Sequence, residues 1–373
     1  MPTADELLGS AVAEELVAAM RAAAPRRRFA ALHRASTQLV GLALRERVDL
    51  LADALLADLP DGYAELAAAV RAGYAAKRSI NGWMIWPVTV AIARSAVGEG
   101  DDSKALVLKD FDDAMEVLKL LTPRLSAEFA IRIMLRRDLE RALAIVRTWV
   151  GSPDPHVRRL ATEGTRPYLP WAPRIPALTA QPGLTLPILE ALHADDSEYV
   201  RRSVANHLND LSRDDPQLVV AAAARWAQDS APTTGWVVRH GLRTLVKKGD
   251  ADALALLGFT GDALAVSDVV VHTPELDYPG TLKFSATVTN NDEHPAKVAI
   301  DYVIAHRRAN GTQSPKIFKL TTRTLAPGET LEITREHEFR PITTRRYYSG
   351  DHSVALQVNG VATESVAFTL TGA

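Results

Sequence analysis

From Asp5 to about Leu257 the apolar residues recur at helical spacing. Val48, Leu51, Ala52, Leu55 and Leu59 fall on one helix face, in a stretch rich in Ala, Leu and Arg. Breaks occur at Leu59-Pro60-Asp61-Gly62, Thr122-Pro123 and Gly151-Ser152-Pro153-Asp154-Pro155. Proline or glycine after an apolar run, and an acid just before proline, are helix stop and start chemistry. Nothing in this region alternates for long with period two, so the pattern predicts a helical domain.

Beyond about Gly258 the period changes. Leu282, Phe284, Ala286 and Val288 alternate with Lys283, Ser285, Thr287 and Thr289. Val298, Ile300, Tyr302 and Ile304 form a second such series, and Val354, Leu356 and Val358 a third. Asn290-Asn291, Asn310-Gly311 and Pro327-Gly328 punctuate the runs as turns. Roughly seven short strands of this kind predict an antiparallel sandwich of immunoglobulin type. The expected architecture is mainly α, with a helical domain over residues 1–260 and a β-sandwich over residues 261–373.

The helical half repeats. His156-Val157-Arg158-Arg159-Leu160-Ala161 matches Tyr199-Val200-Arg201-Arg202-Ser203-Val204, and Val237-Val238-Arg239-His240-Gly241-Leu242 is a weaker copy. The spacings of 43 and 38 residues fall near the period of HEAT-type helix pairs, about 40–47. Asp154-Pro155 and Asp195-Asp196-Ser197-Glu198 precede the first two copies, where an acid suits free N–H groups and the helix dipole. Stacked pairs form a superhelix whose concave face takes one helix of each pair. On that face Arg158, Arg159, Arg201, Arg202 and Arg239 would lie in rows. They either link neighbouring repeats or follow a phosphate backbone, and spacing leaves both readings open.

Acids and an aromatic sit within this basic pattern. Glu163 follows Arg158 by five residues, Gly164 allows a close approach, and Pro167 and Pro170 lead to Trp171 in a constrained turn. Asn206 aligns with Glu163 in the next repeat, and Asp210 lies one turn further on. Glu128 stands among apolar residues in Ser126–Arg132, read as an earlier helix. Carboxylates near phosphates are costly unless the target becomes positive. Alkylation of a base at a ring nitrogen makes it cationic, and cleaving its N-glycosidic bond builds positive charge on the sugar. Fixed carboxylates stabilise that charge and hold a water, and a tryptophan offers a surface to sugar or base. The plainer alternative pairs Glu128, Glu163 and Asp210 with repeat arginines and packs Trp171 into the scaffold.

Composition narrows the classes. At 47% hydrophobic and 24% charged, the 373 residues are not a wholesale disordered chain. Without cysteine there is no disulfide, thiolate metal site or cysteine nucleophile. A net charge of −2 does not announce a nucleic-acid binder, so local charge matters more than the total. No basic-then-apolar leader follows Met1, and no apolar run of about 18 residues occurs, so a cytoplasmic protein with no membrane partner is expected. HExxH, P-loop and GxSxG patterns are absent. His193 and His207, near Asp195, Asp196 and Asp210, read as surface or cap histidines rather than a metal pair. No metal and no cofactor are expected.

Four segments together resemble the AlkC branch of the AlkC/AlkD DNA alkylation-repair glycosylases. They are Ser126 to Arg132 (SAEFAIR), Val157 to Trp171 (VRRLATEGTRPYLPW), Ser203 to Leu211 (SVANHLNDL) and Phe339 to His352 (FRPITTRRYYSGDH). The resemblance spans essentially the whole chain, including the sandwich that distinguishes AlkC from AlkD. It implies a HEAT-like solenoid that excises 3-methyladenine and related cationic bases, 3-methylcytosine among the candidates, from duplex DNA without base flipping. It also implies that Glu128, Glu163 and Asp210 are the cleft carboxylates and Trp171 the cleft aromatic. Trp83 and Trp86 are read as helix-packing residues.

The Arg340–Gly350 segment holds three arginines, two threonines and two tyrosines but no acid. Arg340, Thr343, Thr344, Arg345, Arg346 and Tyr347 are therefore candidate DNA contacts on a loop, with a tyrosine corner or packed hairpin as the alternative. The resemblance points to DNA contact, with the sandwich closing on the duplex. The expected partner is double-stranded DNA carrying alkylated bases, bound by a monomer with no obligate protein partner. A non-catalytic HEAT scaffold or lesion-binding protein is the competing reading, and it predicts no base release.

Overall fold

The apolar face predicted at residues 48–59 lies on helix Leu44–Asp58 of the computed structural model, which describes residues 2–76, 80–98, 107–228, 231–259, 263–342 and 345–373. Val48, Leu51, Ala52 and Leu55 are fully buried. Each leucine or valine removed from water in this way contributes about 1.5–3 kcal/mol. Gly62, at φ 96°, reverses the chain before helix Tyr63–Ala75, as the Pro-Asp-Gly signal requires. Two units emerge, Met1–Gly241 and Leu242–Ala373.

The first unit is a HEAT-like solenoid. Its three repeat helices are Pro155–Glu163, Glu198–Leu211 and Thr234–Gly241; the first packs on the second and the second on the third. Val157, Val200 and Val238, equivalent in sequence, all point into the core. Asp154 caps the first helix by accepting from the His156 N–H at 2.8 Å. In the second repeat Ser197 occupies the cap position without a side-chain bond, and Asp195 accepts from the Ser197 N–H instead.

Two local expectations change. Ser126–Ala130 forms a turn, and the helix begins at Ile131 and runs to Arg137. Glu128 is therefore carried on the approach to the helix, its N–H bonded to Ser126 Oγ at 3.2 Å. Gly164 makes room for a side chain rather than another backbone: a Cβ there would stand 2.6 Å from Ile131 Cγ2.

The second unit begins earlier than residue 261. Helices Arg243–Lys248 and Ala251–Leu256 belong to it. Gly249 and Gly360 touch so closely that a Cβ on Gly360 would lie 2.1 Å from Gly249 Cα, and Gln357 Nε2 donates to the Lys247 carbonyl at 3.0 Å. The strands are β1 (Leu264–Val266), β2 (Val270–Val271), β3 (Glu275–Asp277), β4 (Gly280–Asn290), β5 (Ala296–Arg307), β6 (Gln313–Leu325), β7 (Thr330–Phe339), β8 (Gly350–Val358), β9 (Val361–Ala362) and β10 (Val366–Thr371). In one sheet β4 pairs with β1, β2 and β7; the other runs β3-β10-β8-β5-β6, with β9 on β8. The described strands exceed the seven expected, and β3 lies parallel to β10 in an otherwise antiparallel sandwich.

Leu282, Phe284, Ala286 and Val288 face the core, as do Val298, Ile300, Tyr302 and Ile304. Gly311 and Gly328 take the positive φ of turns. Asn290 does more than turn the chain. It is fully buried, and its Nδ2 donates to the carbonyls of His294, Leu325 and Ala326. No described helix is long and apolar enough to cross a membrane.

Candidate active site

Five side chains of the solenoid alternate in sign: Glu128, Arg159, Glu163, Arg166 and Asp210. Arg159 Nη1 donates to Glu128 Oε2, and its Nη2 lies 3.6 Å from Glu163 Oε1. Arg166 Nη1 donates to that same Glu163 oxygen at 2.6 Å, and its Nε donates to Asp210 Oδ2 at 2.8 Å. Serines complete the acids: Ser203 Oγ donates to Glu163 Oε2 at 2.6 Å, and Ser126 Oγ to Glu128 Oε2 at 2.8 Å. Thr162 Oγ1 donates in turn to Ser203 Oγ.

Glu163, Arg166 and Asp210 are all buried. Burial works against the charge on Arg159, and Glu128 and Glu163 outweigh it, so its pKa rises. Arg166 is likewise opposed by burial and raised by Asp210 and Glu163. Burial pushes the Asp210 carboxyl up, with Arg166 offsetting part of the rise.

A cavity of about 350 Å³ opens beside this ladder. Glu128, Glu163 and Arg159 line it together with Trp83, Trp86, Phe129, Trp171 and Tyr199. Asp210, expected to share the cleft, does not line it: Arg166 reaches it from Glu163, and Asp210 is 3% exposed. Trp86, read from sequence as a packing residue, both packs and lines. It stacks on Phe129 with ring centroids 4.2 Å apart, and Trp83 lies 6.1 Å from it. Trp171 takes φ 63° and is 71% exposed, while Tyr199, 44% exposed, lies under the Arg159 guanidinium at 5.2 Å. Aromatic faces and carboxylates together suit a flat cation. Among the described residues no group of three or more His, Asp and Glu side chains is arranged to hold a metal ion. His207 is instead buried between the Thr162 carbonyl and Thr185 Oγ1, and His193 stacks on Trp226.

Comparison with known proteins decides the family. Residues 125–245 match the model of the DNA alkylation repair enzymes, and residues 265–372 match the C-terminal Ig-like domain of the uncharacterised protein YhaZ. The chain is 38% identical over 262 residues to the uncharacterized protein YhaZ of Bacillus subtilis (strain 168), covering 70% of this chain and 72% of that one. The alkylpurine DNA glycosylase AlkC of Pseudomonas fluorescens, solved with DNA containing an abasic-site analogue, is similar over 100% of both chains, at 33% identity and a TM-score of 0.84. The chain belongs to the AlkC-type DNA alkylation repair family.

Within this AlkC-type chain the repeat arginines divide by partner. Arg158 holds Asp195 through two bonds of 2.6 and 2.9 Å, and its Nη1 also donates to the Ser152 and Pro153 carbonyls. Asp195, raised by burial but lowered further by Arg158 and the Ser197 N–H, ends below the usual carboxylate range. Arg201 makes the equivalent latch, donating to the Asp195 and Asp196 carbonyls. Arg202 is exposed and pairs with Glu198 at 2.6 Å, and Arg239 is exposed.

In the sandwich, Arg340 is exposed, 3.6 Å from Glu338, and Arg346 lies over the Tyr348 ring at 5.5 Å. Arg345 is half-buried and bridges to Ile342. Tyr347 is no loop contact. It is buried against Phe339, Tyr278 and His306, with centroids 5.1–5.7 Å away, so its ring belongs to the core. Thr343 and Thr344 lie outside the described residues.

Arg166 and Ser203 were missed by the sequence reading. Arg166 stands three residues after Glu163, a spacing that suits a helical ion pair, but its second partner lies 44 residues away.

Proposed function

We propose that this chain is an alkylpurine DNA glycosylase. It would hydrolyse the N-glycosidic bond of bases alkylated to cations, 3-methyladenine and, beyond the purines, 3-methylcytosine as a candidate, in duplex DNA without extruding the base. The observation that carries this is the cavity in which Glu128 and Glu163 share a wall with five aromatic rings. The rings offer faces to a cationic base, and the acids offer charge to the sugar as its bond breaks.

In this reading the bond between the base nitrogen and sugar C1′ breaks with its electron pair going to the base. A base that began as a cation leaves neutral, so no acid is needed to protonate it. Positive charge moves to the sugar beside Glu128 and Glu163. Water adds at C1′ and gives its proton to one of these carboxylates, leaving an abasic sugar and an intact backbone. Asp210, the third acid expected in the cleft, acts by holding Arg166 against Glu163. Trp171 meets the sugar or base, exposed Arg202 and Arg239 meet phosphates, and Arg340, Arg345 and Arg346 give a second contact.

The test is chromatographic detection of free base from methylated duplex DNA, run with chelator present. Release of 3-methyladenine with intact backbone is expected. Uracil and 8-oxoguanine, being neutral, should be poor substrates, and comparable excision of uracil contradicts the electrostatic argument. Folded protein that binds methylated duplexes yet frees no base overturns the enzyme reading in favour of a lesion binder.

A further inference from the structure

Ser126–Arg132 carries two side chains of opposite charge, and the chemistry above uses one of them. Glu128 reaches the cavity. Arg132, four residues on and inside helix Ile131–Arg137, is 1% exposed. Its Nε donates to the Pro173 carbonyl at 2.9 Å, and its Nη1 to those of Arg166 at 2.7 Å and Gly164 at 3.3 Å. Its Nη2 is buried without a hydrogen-bond partner. Burial, with Arg136 and Arg166 nearby, pushes the guanidinium down to about 10. A buried cation satisfied by carbonyls is costly to keep, and those carbonyls reveal what it does.

Gly164, Arg166 and Pro173 mark the start, early part and end of the loop between helices Pro155–Glu163 and Pro176–Ala180. That loop carries Arg166, which bridges Glu163 and Asp210, and Trp171 on the cavity rim. Trp171 is 71% exposed, so its own packing holds it weakly, and its φ of 63° is a conformation that non-glycine residues adopt at a cost of about 1–3 kcal/mol. The loop must be fixed from elsewhere.

We propose that Arg132 is a positioning residue: it clamps both ends of the Gly164–Pro173 loop and thereby sets Trp171 and Arg166 relative to Glu128, which rides on the same segment. The inference rests on the glycosylase reading for its rate effects, but its geometry is tested without catalysis. Protein labelled with 5-fluorotryptophan gives one ¹⁹F resonance for each of its six tryptophans, and Trp171→Phe assigns the one that matters. Arg132→Met, which keeps length and removes the donors, should shift or broaden the Trp171 resonance and leave that of Trp226 in place.

Single-turnover base release should fall about 10²-fold, as for a displacement of about 1 Å in a reacting site, while duplex affinity changes less than about 3-fold. Arg132→Lys, keeping the charge but gathering the donors on one nitrogen, should recover about tenfold of that loss. In a Trp171→Ala background Arg132→Met should cost clearly less than its effect of about 10²-fold alone, the remainder acting through Arg166, because residues acting through one another are not additive. If Arg132→Met does not fold, Arg132→Lys carries the same readouts with a loss of about tenfold. A Trp171 resonance unmoved in a folded variant, or losses that multiply in the double variant, overturns the proposal. If the wild-type protein frees no base, the resonance still answers for Arg132, and the glycosylase reading fails separately.

Discussion

Replacing Glu163 by Gln removes one charge from the ladder while keeping its shape. Glu163 Oε1 accepts from Arg166 and Oε2 from Ser203, each at 2.6 Å. In the variant the amide oxygen must face Arg166, because its NH₂ cannot meet a guanidinium. The NH₂ then faces Ser203, whose oxygen keeps a lone pair after accepting from Thr162. Arg166 retains Asp210, so no buried cation is orphaned. Stability should fall by about 1–2 kcal/mol, less than the roughly 3–5 kcal/mol of a pair broken outright. Rate should suffer more. A fixed charge facing developing charge in a site like this is worth about 2.7–4 kcal/mol, so base release should slow about 10²–10³-fold. Single-turnover chromatography with enzyme in excess measures the rate, and fluorescence anisotropy measures duplex binding. Base release within about 3-fold of wild type, from a variant that binds DNA normally, refutes the electrostatic role. Loss of rate in step with loss of binding instead makes Glu163 part of the docking frame.

Arg158→Ala should lower the melting temperature with duplex affinity nearly unchanged, because its guanidinium is committed to Asp195 and two carbonyls; Arg239→Ala should do the reverse, flattening the salt dependence of binding by about one phosphate contact. Replacing Arg345 and Arg346 together by Ala should weaken DNA binding and base release while the sandwich stays folded by circular dichroism; full activity makes the segment a passenger. His207, pushed down to about 3 by burial from an ordinary 6.5, takes up a proton below pH 6.5 in the unfolded chain but not in the folded one. Its stabilisation is therefore complete above pH 6.5 and lost on acidification towards pH 3, at about 1.4 kcal/mol per pH unit; denaturant titrations of His207→Gln should show that slope reduced by one proton's worth.

The readable parts of this protein were those written in local periodicity. Leu282, Phe284, Ala286 and Val288 announce an inward strand face because every second residue must turn to the core. The helical repeat was legible for the same reason, through Val157, Val200 and Val238. What stayed hidden depends on partners far along the chain. Arg158 and Arg159 are adjacent and alike in sequence, yet Asp195 claims one and Glu128 the other. Tyr347 sits among arginines as a groove-binding residue would, but Phe339 and His306 reach it from two different strands and close it into the core. The last two helices, Arg243–Lys248 and Ala251–Leu256, keep helical grammar in sequence while they group by contact with the sandwich.

The repeat also explains why the site occurs where it does. Consecutive residues on a helix point about 100° apart, so the paired arginines of each repeat cannot do the same work. The first of each pair, Arg158 or Arg201, reaches back to the carbonyls of its own entry turn and builds the solenoid. The second, Arg159 or Arg202, is left to find its partner away from that turn. In the first repeat Arg159 meets Glu128, and Glu163 one turn later, so its charge is met by acids on a cavity wall. In the second repeat Arg202 finds Glu198 on its own helix, and the position of Glu163 is taken by neutral Asn206, which bonds His240. The same backbone thus yields a buried carboxylate site in one repeat and a solvated ion pair in the next. Under the proposed function, a duplex lying along the repeats would set its phosphates against Arg202 and Arg239 and its damaged base against the acids of the first repeat.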